Sequence, residues 1–447
     1  MLEKTPPMMV TFAHGEQFTE KLRMLSLDNV TFNETLNIRQ CDKLQKLQLA
    51  ILTFPDDYHL DLSSFTDLTK VTLRNLRLHH VTIAPAQVEK FWVYIKNDML
   101  ENTPPMMVTF AHGEQFTEKL RKLSLYNVTF NETLNIRQCD KLQKLQLAIL
   151  TFPDDFHLEL SSCTDLTGVT LLNLRLHHVT IAPAQVEKFW VYIKDDMLKK
   201  TPPMMVTFAH GEQFTEKLRM LSLDNVTFNE TLNIRQCDKL QKLQLDTLTF
   251  PDDYHLDLSS FTDLTEVTLR NLRLHHVTIA PAQVEKFWVY IKNDMLENTP
   301  PMMVTFAHGE QFTEKLRKLS LYNVTFNETL NIRQCDKLQK LQLAILTFPD
   351  DFHLDLSSCT DLAKIYFVNI RLLHVTIAPA QLEVFFVTIN NQMLKKTPPM
   401  EVTFANGEHF TKKLRKQKMD NVTLKPTLDI PELDKQNNLR RTTCTLS

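Results

Sequence analysis

The hydrophobic positions of this chain recur in one short frame. Residues Lys21 to Leu27 read K-L-R-M-L-S-L, of the form L-x-x-L-x-L, and the frame returns as KLQKLQL (Lys43 to Leu49), DLTKVTL (Asp67 to Leu73) and QVEKFWV (Gln87 to Val93). The quartet starts again at Lys119, 98 residues after Lys21, and the steps between hydrophobic starts are 22, 24, 20 and 32 residues. Intervals of this size, repeated in one order, predict stacked rungs of a solenoid, because a single rung cannot bury its own apolar face. Within a rung, Leu25, Leu27 and Asn29 alternate with period two, which predicts a short strand with its leucines inward. Further along each rung come TLNI (Leu36, Ile38), HLDL (Leu60, Leu62) and HVTI (Val81, Ile83), predicting extended segments on an opposite wall.

The stretch Ala84 to Leu100 fits one face of a helix as well as a strand. Its fourth-copy counterpart, QLEVFFVTI, carries β-branched residues and keeps Phe385, Val387 and Ile389 alternating, which selects the strand. The 32-residue step then holds a turn or short helix over Lys96 to Asn102, Pro104-Pro105 and a strand MMVTF.

Near-identical units start at Thr5, Thr103, Thr201 and Thr299, with a degenerate fifth from Thr397. The solenoid is placed at residues 1–411, and the polar, basic remainder, 412–447, is read as partly disordered. Copies one and three differ at three positions only (50, 51 and 70 against 246, 247 and 266). Copies two and four share Lys122 and Lys318, Tyr126 and Tyr322, Cys163 and Cys359, so the larger duplicating unit is 196 residues.

The L-x-x-L-x-L frame over roughly Leu22 to Val387, sixteen rungs in register, resembles the leucine-rich repeat family. The resemblance implies a mostly β repeat solenoid, a curved horseshoe with concave parallel strands and short convex strands, acting in protein interaction or ligand recognition. Sixteen rungs at about 4.8 Å would form an arc of about 75 Å. The irregular rungs and missing extracellular cysteine caps are more similar to the arrays of NOD-like receptors and related invertebrate proteins. That implies the sensing module of an innate-immune-type receptor and a cytoplasmic location. One departure is clear. The family places asparagine three residues after the last strand leucine, where this chain has Val30, Leu52 or Leu76; Asn29 and Asn75 sit one residue earlier, alternating with Ile51 and Ile95.

Charge and chemistry narrow the function. The net charge of −3 gives no strong field for nucleic acid or an anionic membrane, so neither is expected as a partner. No apolar run approaches the roughly 18 residues that span a bilayer, and MLEKTPPMMVTF lacks a basic n-region followed by an apolar h-region. Cys163 and Cys359 alternate with Phe65 and Phe261 at one phase, which marks an apolar slot. Buried free thiols are expected there, although Cys139 and Cys163 would stack within disulfide reach. His79-His80, His177-His178 and His275-His276 lack a Cys or carboxylate at ligand spacing, and the fourth copy has Leu373-His374, so they read as solvated pairs. Asp56-Asp57 reads as turn closure and not as a calcium site. The glycines other than Gly168 share one His/Asn-Gly phase suited to a positive φ. No cofactor, metal or catalytic residue is expected, since a unique active site would have to break a fourfold repeat.

Nine N-x-S/T sequons (Asn29, Asn33, their copies, and Asn421) would suit an extracellular glycosylated receptor. They are more simply explained as ladder asparagines followed by a β-forming threonine, since Asn29 shares the inward parity of Leu25 and Leu27, where a glycan would not fit. A structural or adaptor scaffold is the other alternative. What remains is the outward face: Met24, Ser26, Asp28; Lys46, Gln48, Ala50; Lys70, Thr72, Arg74; Lys90, Trp92, Tyr94. Copies one and two differ at ten positions, and four of them (24, 28, 70, 74) are outward. The candidate partner-binding residues are therefore Asp28, Lys70, Arg74 and Tyr126, with the triplets Lys90, Trp92, Tyr94; Lys188, Trp190, Tyr192; and Lys286, Trp288, Tyr290. The fourth copy has Val384, Phe386 and Thr388 there. A protein or other elongated ligand on this face is expected. The competing reading is that the aromatics merely cover the 32-residue step.

Overall fold

A computed structural model describes residues 8–10, 18–32, 36–54, 58–96, 105–130, 134–150, 152, 156–194, 203–228, 232–248, 250, 254–291, 302–326, 330–346, 348, 352–390, 398–405, 410–411 and 413–424. The chain divides into two compact units, Met1–His275 and His276–Ser447.

In the first unit the second half of every L-x-x-L-x-L frame lies in a strand of one parallel sheet, the main sheet. Its strands run Met24–Asp28, Lys46–Ala50, Lys70–Arg74, Lys90–Tyr94, Lys122–Tyr126, Lys144–Ala148, Gly168–Leu172, Lys188–Tyr192, Met220–Asp224, Lys242–Asp246 and Glu266–Arg270. Each pairs with the next residue for residue: Met24 with Lys46, Leu25 with Leu47, Ser26 with Gln48, and so on. The cause is the period-two pattern. Leu25, Leu47, Val71, Phe91 and Leu123 all point inward and are buried, and a one-residue slip would turn every one of them to solvent. In the second unit Lys286–Tyr290, Lys318–Tyr322, Lys340–Ala344, Lys364–Val368, Val384–Thr388 and Lys416–Met419 form the same kind of sheet. The strand at Lys416–Met419 continues the pattern past residue 411, where the sequence suggested its end.

The opposite wall is made of short parallel sheets, first a pair (Met8–Val10 with Val30–Phe32) and then sheets of four. One joins His59–Leu62, His80–Ile83, Met106–Phe110 and Val128–Phe130; another joins His157–Leu160, His178–Ile181, Met204–Phe208 and Val226–Phe228. HLDL, HVTI and MMVTF are therefore strands as the sequence suggests. TLNI is not. Leu36 and Ile38 are buried without strand pairing, and the strand of that rung is Val30–Phe32, directly after the corner at Asn29. The segment Lys90–Tyr94 is a strand, not a helix.

The corners explain the asparagines. Asn29, Asn75, Asn127, Asn173, Asn225 and Asn271 all have φ between 48° and 61°, the left-handed region that asparagine tolerates better than most residues. Ile51, Ile149 and Thr247 occupy the same corner in the second rung of each copy, at φ of 51° to 54°. The position is thus a left-handed turn residue and not an inward strand position. A partial ladder survives, since Asn75 Oδ1 accepts from the Lys96 N–H at 3.1 Å and Asn173 Oδ1 from the Lys194 N–H at 3.0 Å. Asn127, Asn225 and Asn323 are buried, which leaves no room for a glycan at those three sequons. Asn33 and its copies lie outside the described residues, as do Asp56-Asp57 and residues 97–102. At His112-Gly113 two successive residues take positive φ, 53° and 70°. Glycine supplies the second without steric cost.

Candidate interaction face

Alternation that buries Phe91 and Val93 sends Lys90, Trp92 and Tyr94 to the solvent side of the main sheet. Trp92 is 45 % exposed and Trp288 41 %; Trp190 is half-buried, with Lys188 Nζ 5.4 Å from its ring centroid. Buried phenylalanines occupy the wide rung: Phe91 lies 5.7 Å from Phe116, which meets Phe110 edge-on at 5.4 Å. The indole does not cover that step. It stands on the other side of the strand.

The tyrosines are shared between copies. Tyr94 packs against Tyr126 of the next rung with ring centroids 4.7 Å apart and planes tilted by 33°, and Tyr290 against Tyr322 at 4.6 Å and 39°. Asp28 and Arg74, two rungs apart, form an ion pair at 3.3 Å between exposed groups, a geometry that contributes about 0–1 kcal/mol. Lys70 and Lys90 are direct neighbours in register, as are Arg74 and Tyr94. Thus Asp28, Lys70, Arg74, Lys90, Trp92, Tyr94 and Tyr126 form one patch in the first unit. Lys188, Trp190 and Tyr192 stand four rungs further along, and Lys286, Trp288 and Tyr290 belong to the second unit.

The sequence reading missed a column. In register along the first unit run Lys46, Lys70, Lys90, Lys122 and Lys144, an unbroken line of five lysines about 4.8 Å apart. Lys286, Lys318, Lys340 and Lys364 repeat it in the second unit. The signal was present at the residue before each strand leucine, and it shows only when rungs of unequal length are aligned on their strands. A net charge of −3 is a sum that conceals this line, so it gives no ground for excluding a polyanion.

The remaining groups are inert by position. Cys41, Cys139, Cys163, Cys237, Cys335 and Cys359 are buried free thiols; burial above all pushes Cys139, Cys163, Cys237, Cys335 and Cys359 up to about 12. The paired histidines part company. His80 stacks on His59 of the preceding rung at 4.2 Å, and His178 on His157 at 4.0 Å. Each ring nitrogen meets a threonine hydroxyl, His80 Nε2 to Thr109 Oγ1 and His59 Nε2 to Thr82 Oγ1, both at 2.7 Å. Among the described residues no group of three or more His, Cys, Asp or Glu is placed to hold a metal ion, and no helix is long and apolar enough to cross a membrane.

No family model and no curated protein matches this chain. Solved structures do. The LRR protein LIC12759 of Leptospira interrogans is similar at 14 % identity and a TM-score of 0.37, over 81 % of this chain and 90 % of that one. The PEPR1–AtPEP1 structure gives 14 % and 0.37, over 83 % of this chain and 64 % of that one. An internalin (inlF) from Listeria monocytogenes gives 12 % and 0.26, over 80 % and 82 %. None of these likenesses bears on site or ligand. The repeated L-x-x-L-x-L rungs, stacked as parallel strands in register with their leucines inside, make this chain a parallel β-solenoid of leucine-rich rungs.

Proposed function

We propose that the chain is a non-enzymatic recognition array whose solvent-facing main sheet binds a protein or other elongated ligand. One observation carries this: Trp92 and Trp288 project from strands whose alternate residues are locked in the core, so they offer large apolar area at little entropic cost. A strand fixed on both sides by register loses little further freedom when a ligand arrives. The narrower reading, a sensing module of an innate-immune-type receptor in the cytoplasm, belongs to the same proposal and rests on the irregularity of the rungs.

The test is selection of phage-displayed peptides on the full chain and on the triple variant Trp92→Ser, Trp190→Ser, Trp288→Ser. Peptides should enrich on the wild-type chain and be lost on the variant, with circular dichroism and melting unchanged. Enrichment that survives in the variant, or a variant that unfolds, would make the tryptophans structural and overturn the reading.

A further inference from the structure

The rungs between Trp92 and Trp190 form a bay with two unlike walls. Its floor is neutral and polar: Ser124, Gln146 and Thr170, in register between the two indoles. On one side stand Lys90, Lys122, Lys144 and Lys188, interrupted only by Gly168. On the other stand the tilted ring pair Tyr94–Tyr126, then Leu172 and Tyr192, with Ala148 recessed between them. The second unit holds a counterpart between Trp288 and Phe386. Lys286, Lys318, Lys340 and Lys364 form its basic wall, Tyr290, Tyr322 and Val368 its apolar one, and Lys340 Nζ lies 5.5 Å from the Tyr366 ring on its floor.

An extended peptide sends successive side chains to opposite sides. Laid along the floor, one with alternating acidic and apolar residues would put every carboxylate over lysines and every apolar group over tyrosine and leucine. Four rung steps of about 4.8 Å span about 19 Å, room for about six residues at about 3.3 Å each. The basic line is also finite: beyond Lys188 it meets Met220, Lys242 and Glu266. A single nucleic-acid strand would set phosphates on lysines and stack bases on tyrosines, but the second wall continues as Ala148 and Leu172, which offer no ring, and the lysine line breaks at Gly168. We propose that each bay binds a short extended segment alternating acidic and apolar residues, two per chain. This rests on the recognition reading above and adds the ligand's chemistry.

The probe is a fluorescent peptide of about six residues alternating glutamate and leucine, titrated onto the full chain. Expected is saturation near two peptides per chain, weakened by salt. A graft of Lys122→Met, Tyr126→Asp, Ala148→Asp, Gly168→Glu and Leu172→Arg gives the second copy the residues the third copy already folds with. It should remove one of the two sites, a loss of about tenfold or more in affinity there. Overturning results are equal binding of a peptide of the same composition in two blocks, binding of single-stranded oligothymidine in place of the peptide, or an unaltered second site in the graft. Any of these leaves the phage selection free to succeed, so the two readings fail separately.

Discussion

The first three rungs of the second copy and of the third both lie in the first unit and show different faces on one scaffold. Their main-sheet strands Lys122–Tyr126, Lys144–Ala148 and Gly168–Leu172 correspond to Met220–Asp224, Lys242–Asp246 and Glu266–Arg270. The two copies differ at twelve of 98 positions, and five of the twelve are outward positions of these strands. In the second copy the outward residues carry two lysines and no acid. In the third they carry Asp224, Asp246 and Glu266 against Lys242 and Arg270, three negative and two positive, and the charges close on each other: Arg270 pairs with Asp246 at 3.2 Å and Lys242 with Glu266 at 3.4 Å. Inward positions are untouched. The inward half of each strand carries the stacking, so the outward half can be rewritten from basic and apolar to internally ion-paired without refolding the rung.

The strongest way to break this comparison is through the shared interior. Leu125 and Leu223 are both buried in equivalent places, so Leu125→Ala and Leu223→Ala should each cost about 2–5 kcal/mol. Because a solenoid unfolds by neighbouring rungs, the check is local hydrogen exchange at each mutated rung and not a global midpoint. Values that differ by more than about 1 kcal/mol would show that the face does reach the core. Leu27, in the first strand and with a main-sheet neighbour on one side only among the described residues, is half-buried and should cost less.

A smaller effect separates the faces themselves. Asp246 is buried and held by Arg270, Thr247 and Asn271. Arg270→Leu alone leaves that carboxylate short of its cation and should cost about 1–3 kcal/mol. Adding Asp246→Ala recreates the Ala148 and Leu172 pair of the second copy and should recover most of the loss. A double-mutant cycle by denaturant titration reads the coupling, and additivity would deny that the third face is self-satisfied.

The scaffold was legible because leucine spacing and strand register are one constraint written many times. Sixteen of the main-sheet strands, their parallel order and the strand at Lys90–Tyr94 all follow from it, whereas Lys416–Met419 lacks the leucine frame. Two parts were hidden. Val30–Phe32 in place of TLNI depends on the left-handed corner at Asn29, and period two cannot signal a break in its own alternation. The lysine column and the unlike walls arise from register between rungs 20 to 32 residues apart, so they lie across the sequence and not along it. Lys90, Trp92 and Tyr94 could be placed on the outward side because they sit within one strand.

The corners offer a third contrast. Ile149 in the second copy and Thr247 in the third both sit at positive φ, unfavourable for a β-branched residue. Asparagine already fills the neighbouring corners Asn127 and Asn173. Ile149→Asn and Thr247→Asn should each stabilise by about 1 kcal/mol, read as a shift in denaturant midpoint without a change in slope. Destabilisation at Ile149 would show that its side chain packs more than its backbone strains.

The opposite wall, where the copies agree, should respond alike, and pH tests this with the smallest effect. In the first copy His59 lies against His80, in the second His157 against His178. Burial first, and the adjacent histidine second, hold His80 and His178 below the ordinary imidazole range. The folded chain therefore binds their protons less readily than the unfolded chain does. Stability from these groups is complete above about pH 6.5 and falls as the pH drops through and below that value, because the unfolded state then takes up protons the stacked rings refuse. Melting between pH 7.5 and 5 should show this loss, and His80→Gln with His178→Gln should flatten it by similar amounts. The copies differ nearby at Tyr58 against Phe156 and at one carboxylate: Glu159 Oε2 lies 3.9 Å from His157, where the first copy has Asp61, and Glu159 raises His178 in opposition to its neighbours. The second copy should thus lose slightly less on acidification than the first. A reversed order would mean that the carboxylate does not reach the stack in solution.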